Sequence, residues 1–394
     1  MRLLLVIPNL ISYTAFLREL CAALSAEGVE IHVACSTRSL WSARERDPGE
    51  AGKAITVHGL PLPRGMNPAG HFRAARELNR LVESLQPNLV HAHFSAAIFT
   101  TALARTRRWP VTMATFHGVS FLASEGWKKQ VLRVTEVWAT KRFDATWVLT
   151  DCDRDGLRAA APGAVVETLP SCGVGCDLET FAPVSAAERR AARAKLGFGD
   201  AQCVFAFVGR FVEFKGFALA VRAFLRLLEG DPAVRLLLIG SRDLLHLTGL
   251  TPAEEKTMVR ASQIIDVGFR DDVAGCLAAA DVLVFPSRRE GIPVSAMEAL
   301  ALGIPVITSD ARGCREVVRD GFNGLVLRDR SVEGLCAAMQ RLSEDGELRR
   351  RLGAQALADR ERFSRRLFIA EQTRIYETFA PAAGTRGLTP ASLR

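Results

Sequence analysis

Short apolar runs alternate with amphipathic stretches along almost the whole chain. RLLLVIP, VEIHVACS, NLVHAHF, PVTMATFH and ATWVLTD read as strands before residue 155, and helical periodicity over 13–26 and 72–85 separates several of them. The pattern restarts at Cys203 with CVFAFVGR, continues through VRLLLIG, IIDVG, DVLVFPS and PVITSD, and ends in helices after Ser331. Apolar strands alternating with helices predict parallel sheets covered on both faces. Two such series predict two α/β domains, and 394 residues exceed what one core usually supports. An acidic, Pro-containing stretch over 177–184 precedes the charged helix AAERRAARAKLG, which places the linker at 181–184 and the domains at 1–182 and 183–362. The last element is a helix over 364–379, within a segment 363–380. The tail over 381–394 has turn formers and few apolar residues and is expected to be disordered.

The chemistry concentrates in PSRREGIPVSAMEALALGIPVI, where Glu290 and Glu298 are separated by seven residues. An apolar run over 281–285 precedes it, so Glu290 falls in a loop at the carboxyl end of a strand. Pro293 suits a first helical position, and Glu298 then lies about a turn and a half inside that helix. Carboxylates accept hydrogen bonds from sugar hydroxyls, and helix N–H groups near Val294 and Ser295 attract phosphate. A sugar joined to a nucleoside diphosphate needs both. An ordinary strand–loop–helix with two solvated glutamates has the same pattern, so the pair alone does not decide.

A second segment changes the balance. The buried strand CVFAFVGR stops at Gly209-Arg210, Lys215-Gly216 follows, and an amphipathic helix begins with Ala220, Ala223, Phe224, Leu227 and Leu228 on its apolar face. Arg210 and Lys215 are then two cations at the carboxyl end of a strand, where open parallel sheets place their ligands. A guanidinium grips phosphate through two parallel bonds, and a lysine adds a point charge.

With these segments the chain resembles the retaining glycosyltransferases of family 4, which have the GT-B fold: two Rossmann-like domains facing a central cleft. The matching pieces are VGRFVEFKG, REGIPVSAMEALALGIPVITSD and GCREVVRDGFNGLVL (313–327), with shorter signatures VHAHFS (90–95) and TFHG (115–118) in the first half. The resemblance implies that Arg210 and Lys215 neutralise the diphosphate, Glu298 holds the ribose hydroxyls and Glu290 contacts the transferred sugar. It places His117 against the donor sugar and the base-binding loop at 268–270, including Arg270; Gly209 and Gly291 complete the donor set. It also implies a last helix that returns to pack on the first domain. One feature departs from the family: a Gly-Gly pair is usual after the first strand, whereas this chain has Pro8-Asn9-Leu10-Ile11-Ser12. A β-carbon there pushes bound groups away or moves their approach to another loop.

Other polar residues carry weaker signals. His91 and His93 end a buried strand and are read as pointing to opposite faces. Asp151 and Asp153 begin a helical stretch, and Asp271 and Asp272 begin another, so capping accounts for them. The nine cysteines are scattered, and no second pair completes a metal site with Cys172 and Cys176, so they read as reduced thiols of a cytosolic protein. No metal or other cofactor is expected, because Arg210 and Lys215 can replace a cation on the diphosphate.

Composition fits an enzyme of two cores, with 48% hydrophobic and 24% charged residues. No apolar run reaches the roughly twenty residues of a transmembrane helix, and LLLVIP reads as a buried strand too short for a signal peptide. The net charge of +8 is uneven: over 105–142 eight Lys or Arg face Glu125 and Glu136, and Trp109, Phe121, Trp127 and Trp138 are interleaved. Such a segment suits an anionic membrane surface on the inner face of the plasma membrane. The competing reading is a solvated helix face with its Trp residues in the core. No nucleic-acid-binding module is present.

The inferred reaction is transfer of a sugar, with retention, from a nucleoside-diphosphate donor to an acceptor hydroxyl. UDP-sugar is the expected donor, and the family's bacterial surface-polysaccharide enzymes point to a lipid-linked glycan acceptor. The alternatives are a nucleotide-sugar epimerase or a phosphorylase on the same fold, a non-catalytic sugar-nucleotide binding protein, and a dinucleotide-dependent dehydrogenase. The last lacks G-x-G-x-x-G after its first strand.

Overall fold

The computed structural model describes residues 1–36, 55–63, 65, 67–243 and 246–379, so the tail expected from 381 lies outside the described residues. The chain divides into two compact units, Met1–Gly173 together with the segment from Phe368, and Val174–Leu367.

The first unit is a seven-stranded sheet of β1 (Arg2–Val6), β2 (Glu30–Ser36), β3 (Ile55–Leu60), β4 (Leu89–His93), β5 (Val111–Phe116), β6 (Ala145–Val148) and β7 (Val166–Thr168). Every pairing is parallel, in the order β3-β2-β1-β4-β5-β6-β7. The strand order therefore reverses between β1 and β4, the crevice where such sheets bind ligands. Leu3, Leu4, Leu5 and Val6 of β1 are fully buried, as a central strand covered on both faces requires. The helix expected over 13–26 is two helices, Leu10–Phe16 and Arg18–Ala26. Asn9 starts the first of them by accepting a hydrogen bond from the Ser12 N–H at 2.8 Å, so the place of the family's Gly-Gly pair is taken by a helix cap. The strands β3 and β7 escaped the sequence reading because both are partly exposed and lack a continuous apolar run.

The second unit is a six-stranded sheet of β8 (Val204–Val208), β9 (Arg235–Ile239), β10 (Ile264–Asp266), β11 (Val282–Phe285), β12 (Val306–Ser309) and β13 (Gly324–Leu327). It too is wholly parallel, ordered β10-β9-β8-β11-β12-β13 and reversing between β8 and β11. Its core includes Phe205, Phe207, Phe217 and Phe224, all buried.

The divide at 173/174 falls earlier than the expected 182/183, for a local reason. The Cys176 N–H donates to the Phe363 carbonyl at 2.8 Å, and the Arg365 N–H donates to Cys176 at 2.9 Å. Gly175, at φ +64, has no room for a β-carbon, which would stand 2.7 Å from the Arg365 nitrogen. The residues that precede the expected linker are thus built into the second unit. The last helix is Arg365–Phe379, and its residues from Phe368 onward belong to the first unit. There the Tyr376 hydroxyl lies 2.7 Å from His91 Nδ1, and Phe379 meets Trp147 edge-on.

Candidate active site

In the second unit the expected phosphate and sugar residues cluster at the carboxyl ends of β8, β9 and β11. The ends of β8 and β9 are drawn together by backbone that only glycine permits. Gly209 has φ +138, and a β-carbon on Gly240 (φ +149) would stand 1.8 Å from the Gly209 carbonyl oxygen. Arg210 follows, half exposed, paired with Asp243 and 5.5 Å from the Phe214 ring. A 3₁₀ turn, Glu213–Lys215, then leads into the helix Phe217–Gly230.

Lys215 and Glu290 meet: the ammonium lies 2.8 Å from the carboxylate, which also accepts from the Ser287 hydroxyl at 2.7 Å. Both side chains are largely buried, and Lys215 stands 5.3 Å from the Phe285 ring. The Glu290 loop is fixed from below. Its N–H donates to the Arg312 carbonyl at 3.3 Å. Gly313, at φ +81, packs so closely that a β-carbon would stand 2.3 Å from the Gly291 carbonyl oxygen.

The helix after this loop is Val294–Ala301. Pro293 is its N-cap rather than its first helical residue, so the helix begins one residue later than expected, and no side chain caps it. The N–H groups of Val294 and Ser295 point out of the first turn, where an α-helix has no internal acceptor for them. Glu298 sits in the same helix, and burial raises its pKa to about 7 while the Arg365 charge pulls the other way. Arg270 is exposed, and its loop is tied to the end of β9 through the Gly240 N–H, which donates to the Gly268 carbonyl at 2.9 Å.

In the first unit His117 follows β5. Its Nε2 lies 3.2 Å from His93 Nδ1, and its ring stacks on Phe94 with centroids 4.1 Å apart. His91 and His93 do not point to opposite faces. They are two residues apart on a strand, so both project to one face, and their ring centroids are 4.0 Å apart. Burial lowers His117 and His91 to about 3, with the His117 charge adding to the effect on His91, and takes His93 well below its usual value. His117 is therefore a neutral hydrogen-bonding group at pH 7. Phe94 holds φ 71 and ψ 144, a conformation rare for a residue with a β-carbon.

Sequence reasoning missed Asp243, Ser287 and Phe94. Asp243 stands three residues after Gly240 at a strand end, which was a usable signal; the strain at Phe94 had none. Asp153 is not a cap either: Thr150 caps the helix Asp151–Ala160, whereas Asp272 does cap Val273–Leu277. Among the described residues no group of three or more His, Cys, Asp or Glu could hold a metal ion.

The basic segment splits in two. Arg105 is committed to Asp144 at 2.7 Å, and Arg142 donates to the Ala102 carbonyl at 2.7 Å. Phe121 is buried, and Trp109 donates to Asn79 at 2.7 Å. On the helix Gly126–Thr140, however, Trp127 is 66% exposed and Val134 69%, with Val131 and Trp138 also exposed. These two Trp residues are not core. No helix among the described residues is long and apolar enough to cross a membrane.

Comparison with known proteins fits this arrangement. Residues 188–359 match the family model "Glycosyl transferases group 1", and residues 13–172 match "Glycosyl transferase 4-like domain". A D-inositol 3-phosphate glycosyltransferase of Actinosynnema mirum is 30% identical over 297 residues, 70% of this chain and 69% of the relative. The chain belongs to the group 1 glycosyltransferases. A second relative, the putative glycosyltransferase EpsD of Bacillus subtilis, is 27% identical over 327 residues, covering 81% of this chain and 84% of that protein. Among solved structures, Anabaena HepE in complex with UDP-glucose superposes with a TM-score of 0.74 at 17% identity, over 95% of this chain and 100% of HepE. Both units of this glycosyltransferase thus fall within a GT-B fold, and the dehydrogenase alternative falls away. The group 1 match spans Gly209 through Glu298, and the 4-like match spans His117.

Proposed function

We propose that this glycosyltransferase transfers a sugar from a nucleoside-diphosphate donor to an acceptor hydroxyl with retention of configuration and without a metal ion. The observation that carries the reading is the Lys215–Glu290 pair at the point where the second sheet reverses its strand order. One member suits a phosphate and the other a sugar hydroxyl. UDP is the favoured nucleotide, since HepE, of the same fold, is described with UDP-glucose.

In this reading Arg210, Lys215 and the N–H groups of Val294 and Ser295 stabilise the negative charge that develops on the departing diphosphate. Glu298 accepts from the ribose hydroxyls, Arg270 lies by the base, and Gly209 and Gly291 allow the backbone close to the donor. Glu290 and the neutral imidazole of His117 orient the sugar. The bond from the anomeric carbon to phosphate oxygen breaks and a bond from that carbon to the acceptor oxygen forms on the same face. The acceptor proton passes to the departing phosphate, so no protein nucleophile is required. An epimerase, a phosphorylase or a non-catalytic binder would share the nucleotide-side residues, and release of free nucleotide only in the presence of acceptor separates transfer from all three.

The acceptor in this reading is a lipid-linked glycan, met at the cytoplasmic face of the plasma membrane. The exposed Trp127, Val131, Val134 and Trp138, flanked by Lys128, Lys129 and Arg133, support it. A thermal-shift panel of UDP, GDP, ADP and their common sugar derivatives tests the donor side. Stabilisation by UDP and its sugars is expected; stabilisation by none of them contradicts the reading.

A further inference from the structure

Beneath the exposed face of the Gly126–Thr140 helix lies an apolar cavity of about 310 Å³, wholly inside the first unit. The helices Pro68–Leu85, Ser95–Ala104 and Gly126–Thr140 wall it with Ile98, Phe99, Leu103, Leu132 and Ala139, and Phe116 of β5 closes it.

Apart from the exposed Asn67 at its rim, the polar side chains on its wall are already engaged within the protein. His71 Nδ1 lies 2.7 Å from the Thr100 hydroxyl, and its Nε2 lies 3.1 Å from the Gly65 carbonyl oxygen. The buried Glu136 carboxylate accepts from the Ser95 hydroxyl at 2.5 Å and from the Ser120 and Phe121 N–H groups at 3.1 and 3.0 Å. The Thr135 hydroxyl donates to the Val131 carbonyl at 3.0 Å. A polar ligand entering here would lose its hydration without regaining hydrogen bonds, so the chemistry selects hydrocarbon.

The cavity continues to the surface. Phe72 and Val131 line it and are themselves exposed. Trp138, whose ring centroid is 5.8 Å from that of Phe99, and the exposed Trp127 and Val134 extend the apolar surface along the helix. Lys128, Lys129 and Arg133 are exposed on the same helix. A dry cavity of roughly 150 Å³ accommodates one benzene. About twice that volume takes a chain of on the order of ten to twelve carbons.

We propose that this cavity receives one hydrocarbon chain of an anionic membrane lipid, whose headgroup is held by Lys128, Lys129 and Arg133. The inference rests on the membrane-surface part of the function proposed above but not on the donor part. The positive rim is what favours a lipid over a second copy of the chain, which carries the same charges at the same place.

The test is calorimetric titration of the intact protein with straight-chain alkyl phosphates of increasing length, each below its micelle concentration. Affinity should rise about fourfold per added methylene, the factor for burying one such group, and level off near ten to twelve carbons as the cavity fills. Thr135→Phe fills the cavity from a partly exposed position and should weaken decyl phosphate at least tenfold while sparing butyl phosphate. Ala96→Leu is a smaller filling that should act in the same direction if the phenylalanine variant does not fold. Charge reversal at Lys128, Lys129 and Arg133 should weaken decyl phosphate and leave decanol unchanged. Absence of chain-length dependence in the wild type, or a rise that neither filling variant lowers, overturns the inference. So does sedimentation showing a dimer that Thr135→Phe dissociates, since the occupant is then a second copy. UDP titrated on the same samples keeps the two readings apart: UDP binding without chain binding sinks only this inference, and the reverse sinks only the donor assignment.

Discussion

The Lys215 ammonium and the Glu290 carboxylate lie 2.8 Å apart although they stand seventy-five positions apart in the chain. They meet because β8 and β11 are neighbours in the sheet while the chain between them builds β9 and β10 on the other side. Such a pair is poised for exchange. A diphosphate arriving beside Lys215 can take over part of its charge, and the carboxylate is then free to accept from a sugar hydroxyl. Asp243 is similarly paired with Arg210. Both cations of the proposed phosphate site are thus held in place by carboxylates before any ligand binds.

The backbone beneath Glu290 gives a sharp test. In Gly313→Ala the new β-carbon would stand 2.3 Å from the Gly291 oxygen and 2.7 Å from the Glu290 oxygen, at φ +81. Strain of this kind costs about 1–3 kcal/mol. The melting temperature should fall by roughly 2–10 °C, and turnover should fall more than UDP affinity, because the displaced loop carries the carboxylate proposed to orient the sugar. An unchanged melting temperature would mean that the loop does not pack as described.

Glu298 makes stability depend on pH. Burial raises its pKa from 4.5 to about 7, so between those values the folded chain binds more protons than the unfolded one. Stability from this group is therefore lost as pH rises from about 4.5 to 7. Glu298→Gln should remove that slope, and its melting temperature relative to wild type should increase between pH 5 and pH 8. If the carboxylate also holds the ribose, wild-type UDP affinity should rise as pH passes 7, a rise absent in the variant. Parallel melting curves for the two proteins across this range would contradict the assignment.

Because Arg210 and Lys215 are assigned the charge that a metal ion could otherwise neutralise, excess chelator should leave turnover nearly unchanged. Loss of turnover restored by magnesium or manganese would show that the diphosphate is held differently.

Reversing charge at Lys128, Lys129 and Arg133 should weaken binding to anionic vesicles by about 1 kcal/mol per residue, an effect that fades at high salt. Turnover on a lipid-linked acceptor should drop, with little change on a soluble analogue. Wild-type protein that ignores anionic vesicles would leave the helix an ordinary solvated one.

Much of the fold was legible because fully buried parallel strands such as RLLLV and VFAFV write themselves as unbroken apolar runs. The edge strand β3 (ITVHGL) and the short β7 do not, because they are only partly covered. The motif residues Gly209, Lys215 and Glu290 were readable, as strand ends followed by glycine punctuate a sequence. Their mutual contact was not, since it depends on strand order. The basic helix was ambiguous for another reason: apolar positions 127, 131, 134 and 138 have the spacing of a core-facing stripe, and sequence does not say whether a partner covers it. His91 and His93 were misplaced by a misapplied strand period, which their neighbouring rings, 4.0 Å apart on one face, correct.

In the proposed function a nucleoside diphosphate is held by Arg210, Lys215 and the N-terminus of the helix beginning at Val294. Lys215→Ala is a confounded probe, because it strands the largely buried Glu290 carboxylate at a cost of about 1–3 kcal/mol. Arg210 is half exposed, and its largely buried partner Asp243 keeps the His246 ring nitrogen at 3.0 Å when the guanidinium is removed, so Arg210→Ala is the less confounded of the two. The direct measurement is UDP affinity, by equilibrium titration, of wild type and Arg210→Ala. Loss of a charge-assisted phosphate contact of about 2–5 kcal/mol should weaken binding about 30-fold or more, with the melting temperature of the unliganded proteins nearly equal. Equal UDP affinity in the two proteins would contradict the account.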